Sequence, residues 1–334
     1  MFHNWCKPSC RWRILGAMKK EWISWLYIVL MVVVIHEHLD TVPDSFLINT
    51  LKRPCMPLFA ALAGFPWYGL LKRTKGVGVF YSLKLFIYPY LFWSLLYVLL
   101  NTVVLDVFIR HGALEFSITD FFSTLLMSEG TVHLWFLVAL IYVMVTHIFI
   151  RWLIKDDRVY KVILIIVACV AFILHGASFF DHSYAALRFF GFNYMGILKF
   201  FTLGMLFAIP NIKWQEQNRL QLRYLLPVLL VFCVLARVYM LGFYNFIATV
   251  FVMMTIIAYS NIYAPKWIVA TLPYTMGIYV AHILLTSVVG LLMPYFGIEC
   301  LSQPISWICA VSIYFLDWFL VWCIRRIPFM CNVV

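Results

Sequence analysis

The chain has 334 residues, of which 65% are hydrophobic and only 12% are charged. Soluble proteins are nearer half apolar and a quarter charged, so this composition excludes an ordinary water-soluble domain, a disordered chain and a nucleic-acid-binding protein. The net charge of +11 indicates charges that set membrane topology rather than a nucleic-acid partner. The sequence predicts an all-α, polytopic transmembrane helical bundle in contact with the lipid bilayer.

Ten apolar stretches predict about ten spans, because each is long enough, or nearly so, to cross a hydrocarbon core of about 30 Å as a helix. They are Trp22–Leu39, Pro54–Leu71, Val79–Val103, Leu134–Ile154, Val162–Leu174, Tyr194–Ile209, Tyr224–Leu241, Phe243–Ile262, Tyr274–Leu292 and Ile305–Cys323. A further apolar segment, Ser117–Met127, is too short to cross and is expected at a membrane interface. We divide the chain into a basic cytoplasmic tail (1–21), a transmembrane domain (22–324) and a cytoplasmic tail (325–334). A chain that begins at Met18 keeps the basic flank of the first span and is expected to insert as well.

The charges between the spans predict the orientation of the chain. Ten spans put both termini on one side, and the segments of that side hold eighteen Lys and Arg residues: Lys7, Arg11, Arg13, Lys19, Lys20, Lys72, Arg73, Lys75, Arg151, Lys155, Arg158, Lys161, Lys213, Arg219, Arg223, Lys266, Arg325 and Arg326. The opposite loops hold four: Lys52, Arg53, Arg110 and Arg188. Cytoplasmic loops of membrane proteins carry the excess of Lys and Arg, so both termini are predicted to be cytoplasmic.

The densest group of ionisable residues closes the first span, with His36, Glu37, His38 and Asp40. A neutral imidazole can take a proton from a hydroxyl, so a general base is one interpretation. A polar cap where the helix leaves the lipid is the other. Metal binding by His36 and His38 is disfavoured, because residues two apart on a helix diverge by about 200°. No metal is expected.

Further polar residues lie in or beside later spans. Lys84 lies above the basic run Lys72, Arg73 and Lys75, which predicts either a path for an anionic ligand or a lysine that extends its amine to the interface. Glu129 and His133 precede the fourth span, Trp135 begins it as an interface anchor, and His282 lies in the ninth. A single His on a helix is more often a packed, hydrogen-bonded residue than a catalytic one.

Five segments in order along the chain resemble the membrane acyltransferase 3 family, the bacterial integral-membrane O-acyltransferases. The segments are Glu21–His38, Met56–Phe65, Lys84–Trp93, His133–Leu137 and Gly277–His282, with a weaker sixth at Phe200–Met205. In that family the first helix ends in a His that is thought to be catalytic. The resemblance makes His38 or His36 the candidate base.

The chain departs from the family pattern in the first helix. The family has an acid about fourteen and a basic residue about eleven positions before the His, and eleven residues return a side chain to within ~20° of the same helix face. Counting back from His38 gives Ser24 and Tyr27, whereas counting from His36 gives Trp22 and Trp25. We prefer His38, which keeps polar groups on that face, although His36 can pair with Asp40 one turn later. The missing charges leave room for an inactive member.

The resemblance implies transfer of an acetyl group from acetyl-CoA to a sugar hydroxyl of an envelope polysaccharide or lipid-linked glycan, in the bacterial inner membrane. Direct transfer and an acetyl-histidine intermediate are both compatible with it. The rival interpretation is an exporter or flippase for a glycan or lipid, without acyl transfer. A transporter is expected to show internal repeats and broken helices, and the sequence shows neither clearly.

Overall fold

The computed structural model describes residues 23–39, 45–74, 77–100, 126, 134–177, 188–210, 212–259, 264–327 and 330. Within these ranges lie ten apolar helices: α1 (Ile23–Glu37), α2 (Cys55–Thr74), α3 (Val77–Leu99), α4 (Trp135–Leu153), α5 (Asp157–Ala177), α6 (Met195–Phe207), α7 (Arg219–Tyr239), α8 (Leu241–Ala258), α9 (Thr275–Leu292) and α10 (Gln303–Ile324). Eight of them, together with adjoining turns, are long and apolar enough to cross a membrane, and α1 and α8 are shorter. The predicted all-α polytopic bundle is confirmed.

Each predicted stretch overlaps one of these helices, and α5 extends beyond the predicted Val162–Leu174 at both ends. Helices form because a backbone in lipid must satisfy its polar groups within the segment. Shorter elements connect them: helices at Phe46–Lys52, Ile212–Gln217 and Lys266–Val269, a π-helical turn at Arg188–Tyr194, and 3₁₀ turns at Leu272–Tyr274 and Met293–Phe296. The predicted interfacial segment Ser117–Met127 lies outside the described residues except for Leu126.

The bundle has two ends, which we call the base, where α1 begins, and the top, where α1 ends. At the base, Arg325 after α10 donates a hydrogen bond to the carbonyl of Pro273 just before α9, at 3.1 Å. The rings of Trp25 and Trp267 also meet there, with centroids 5.8 Å apart. α10 therefore ends where α1 and α9 begin. The end of α4 likewise meets the start of α5 through Arg151 and Asp157, and the start of α7 meets the end of α8 through Arg223 and the Ala258 carbonyl. Consecutive helices thus run in alternating directions through the bundle.

The described cations outside the middle of the helices divide unequally between these two ends. The base has Lys72, Arg73, Arg151, Lys155, Arg158, Lys161, Arg219, Arg223, Lys266, Arg325 and Arg326, and the top has Lys52, Arg53, Arg188 and Arg237. This grouping has the asymmetry that the positive-inside rule uses, and cytoplasmic termini stay a prediction from it.

Two acidic residues fix the connection between α4 and α5. The backbone N–H groups of Val159 and Arg158 donate to Asp156 Oδ1 at 2.9 and 2.8 Å. These hydrogen bonds hold the pKa of the exposed Asp156 carboxyl below its usual range. Arg151, near the end of α4, pairs with Asp157 at 2.6 Å. The two helices are thus tied together at the base.

α2 and α6 cross with their backbones in close contact. A Cβ added to Gly64 would meet the carbonyl oxygen of Phe201, and one added to Gly204 would meet that of Ala61. Each glycine therefore lies against the backbone of the other helix. Small residues permit such close approach in membranes, where van der Waals packing rather than the hydrophobic effect drives helix association.

This crossing predicts that replacing either glycine by alanine separates the two helices. We expect Gly64→Ala and Gly204→Ala each to lower the free energy of unfolding by about 1–3 kcal/mol, because the new methyl group overlaps a main-chain carbonyl. Thermal unfolding of the purified protein in detergent measures the effect. Gly176→Ala is the matched control, since a Cβ there meets nothing within 4 Å. Equal stability of all three variants would contradict the role of the crossing.

Candidate active site

A cavity of about 220 Å³ lies inside the bundle, among α1, α2, α3, α4 and α9. Its wall is almost wholly apolar, and none of the side chains that line it is charged. Hydroxyl groups come from four lining residues: Tyr27, Ser82, Thr275 and Tyr279. The cavity therefore suits a mostly apolar, uncharged ligand with a few polar groups.

The helix positions of the lining residues give the cavity a direction. Leu70 and Ser82 lie towards the base, because α2 ends and α3 begins there. Phe59 and Phe136 lie towards the top, because α2 and α4 begin there, and the ring of Tyr279, in the second turn of α9, reaches that of Phe136. Their rings are in contact, with centroids 6.4 Å apart for Phe59 and Phe136 and 5.8 Å apart for Phe136 and Tyr279. We call these three rings the aromatic cap.

Two histidines adjoin the aromatic cap. The ring of His282, one turn after Tyr279 on α9, lies 5.8 Å from the tyrosine ring and is fully buried. Its Nδ1 lies 2.6 Å from the Tyr279 carbonyl oxygen. A carbonyl only accepts, so Nδ1 carries the proton, and Nε2 of the neutral ring is an acceptor. The half-buried ring of His38 lies 5.2 Å from that of His282. The two histidines form a pair at the top.

His36 has different neighbours. It is fully buried, and its Nε2 lies 2.8 Å from the hydroxyl oxygen of Ser306 on α10. The Ser306 hydroxyl donates to the Gln303 carbonyl at 2.7 Å, so its oxygen accepts the hydrogen bond from His36. The indole of Trp307 stacks on the imidazole at 4.0 Å. His36 therefore joins α1 to α10, whereas His38 lies beside His282.

Two more of the predicted site residues, Tyr27 and Trp135, lie next to the aromatic cap. Tyr27 lines the cavity, and its ring lies 6.0 Å from that of Phe59. Trp135 is half-buried at the start of α4, with its ring 6.1 Å from that of Phe136. The aromatic cap thus has aromatic neighbours on α1 and α4.

The predicted basic residues are less close to the cavity. Lys84 is exposed and is not among the lining residues, which on α3 are Ser82, Leu85 and Phe86. Lys72 and Arg73 are exposed at the base end of α2. Four predicted residues lie outside the described ones: Asp40, Lys75, Glu129 and His133. Within the described ranges, no three His, Cys, Asp or Glu side chains are grouped so as to hold a metal ion.

Two features of the site were not predicted from the sequence. The first is the contact between His38 and His282, which are far apart in the chain. The second is the position of Tyr279 between the cavity and His282. Its spacing of three residues from His282 places both on one helix face and could have suggested this.

The contacts of His36 predict a stabilising role. We expect His36→Ala to lower the free energy of unfolding by about 1–3 kcal/mol, because it removes the hydrogen bond to the Ser306 hydroxyl oxygen and the ring that stacks on Trp307. Unfolding in detergent, compared with His38→Ala, measures the difference. A His36→Ala protein as stable as His38→Ala would contradict this role.

Comparison with known protein families identifies the family of the chain. The sequence model of the acyltransferase 3 family, described as an acyltransferase domain, matches residues 26–323. The match includes the helices that form the cavity and both histidines of the pair. Comparisons with curated proteins and with solved structures return no match. The chain belongs to the acyltransferase 3 family and is a multi-pass membrane acyltransferase.

Proposed function

We propose that the protein transfers an acetyl group from acetyl-CoA to a sugar hydroxyl of an envelope polysaccharide or lipid-linked glycan, in the bacterial inner membrane. The observation that carries the proposal is the juxtaposition of the cavity, the aromatic cap and the histidine pair. A donor can occupy the cavity from the base while an acceptor approaches the pair from the top. The base would face the cytoplasm, where acetyl-CoA is made.

The cavity would hold the arm of coenzyme A that ends in the thioester. That arm is uncharged and carries two amides, which match an apolar wall with hydroxyl groups from Tyr27, Ser82 and Thr275. The phosphates of the nucleotide would remain at the base. Lys72 and Arg73, exposed there, are the candidates to bind them, together with Lys75 and Lys84.

His38 would act as the general base. Its imidazole would take the proton of the sugar hydroxyl as the hydroxyl oxygen attacks the thioester carbonyl carbon. The C–S bond then breaks, and the sulfur of coenzyme A takes the proton back from the imidazolium. His282, buried beside it and held by the Tyr279 carbonyl, would position the His38 ring. Holding both substrates at this point would supply much of the remaining acceleration.

The first prediction from this mechanism concerns His38. We expect His38→Ala to lower O-acetylation by about 10²–10⁴-fold while the protein still inserts, as is typical for loss of a general base. Acetylation should also fall at pH low enough to protonate the imidazole. Mass spectrometry of envelope glycans, normalised to protein in the membrane, measures the transfer.

His36→Ala is the comparison variant and should cost less per inserted molecule. If His36 and Asp40 are the true dyad, the two results exchange. Full acetylation by an inserted protein that lacks both histidines would reject the mechanism and leave these residues as an interfacial cap.

The second prediction concerns the donor. We expect Lys84→Ala to weaken binding of acetyl-CoA more than it disturbs folding, because it removes a positive charge above the basic run at the base. Binding of labelled acetyl-CoA to the purified protein, together with its thermal stability, tests this. An unchanged affinity for acetyl-CoA would mean that Lys84 only extends its amine to the membrane interface and does not bind the donor.

A further inference from the structure

The aromatic cap lies beside the position that the acyl group of the donor would occupy. This argument rests on the proposed function, in which the donor arm fills the cavity and the thioester points towards the histidine pair. The part of the donor that extends beyond the arm in that direction is its acyl group. The side chains that the acyl group meets first are Phe136 and Tyr279.

The side chains of Phe136 and Tyr279 have little room to move aside. Both residues are 5% exposed, their rings contact each other edge to face, and the ring of Phe59 also contacts that of Phe136. His282 lies directly against the Tyr279 ring, at 5.8 Å between centroids, and is itself fully buried. The Tyr279 ring thus lies between the ring of Phe136, the ring of His282 and the cavity. A close-packed wall of this kind accepts no added methylene without displacement of its side chains.

We propose that Phe136 and Tyr279 set the chain length of the acyl group and restrict the donor to acetyl-CoA. Longer acyl groups meet the cap before the thioester carbonyl reaches the histidine pair. Both residues act by size, since the phenyl ring of Phe136 offers no polar group. The Tyr279 carbonyl that holds His282 belongs to the main chain, so it is retained when the side chain is replaced.

Competition between acyl donors tests this proposal. Acetyl-CoA, propionyl-CoA and butyryl-CoA displace labelled acetyl-CoA from the purified full-length protein in nanodiscs, and their relative affinities are measured. One misfitted methylene in such a pocket typically costs about 10–200-fold. We expect the natural protein to bind butyryl-CoA at least about tenfold more weakly than acetyl-CoA. Tyr279→Ala should bring the two affinities to within about threefold.

Phe136→Ala is a second variant, which opens the cap from α4 if Tyr279→Ala does not fold. Leu70→Ala is the matched control, because it enlarges the same cavity at its base end and should shift all three affinities together. Equal affinities of the natural protein for the three donors would overturn the proposal while leaving the proposed function intact. A ratio that neither cap variant changes would overturn it too. No binding of any acyl-CoA would reject the proposed function and this inference with it.

Discussion

The contact between the backbones of α2 and α6 is the constraint on which the other features depend. Gly64 and Gly204 each face a main-chain carbonyl of the opposite helix, so the two helices fix each other with little freedom to slide. α2 supplies Phe59, Ala63 and Trp67 to the cavity wall, and the Trp67 ring also contacts Phe201 of α6. The crossing therefore determines how wide the cavity is and where the cap closes it. In lipid, the hydrophobic effect does not drive helices together, so close van der Waals packing of this kind contributes much of the rigidity.

The two histidines at the end of α1, His36 and His38, have different roles. His36 is buried against Ser306 and Trp307 and holds α1 to α10. His38 lies after the last helical turn, half-buried and beside His282. His36, held by these contacts, is poorly suited to exchange protons with a ligand. His38, two residues later in the chain, is less buried and more accessible. The contacts of His36 thus also restrict the position of His38.

The sequence predicted the fold well because lipid imposes one simple rule, that long apolar stretches become helices. It was less informative about α5, whose polar first turn at Asp157 lies beyond the apolar stretch. In the site, the first-helix histidines and His282 were recognised, but their pairing depends on how α1 packs against α9. Hydropathy contains no information on helix packing. For the same reason, the sequence did not decide between the two interpretations of Lys84, because the exposed face of α3 is set by the neighbours of that helix.

Pro66 gives the cavity wall a mechanical property. It lies inside α2 and has no N–H to offer, so the helix supplies no donor to the carbonyl of Leu62 four residues earlier. Both residues line the cavity, and Gly64 between them is pinned to α6. A bend at this turn has one helical hydrogen bond fewer to strain than a bend elsewhere in α2. α2 is therefore easiest to bend where it borders the cavity, and Gly64 keeps that same turn against α6.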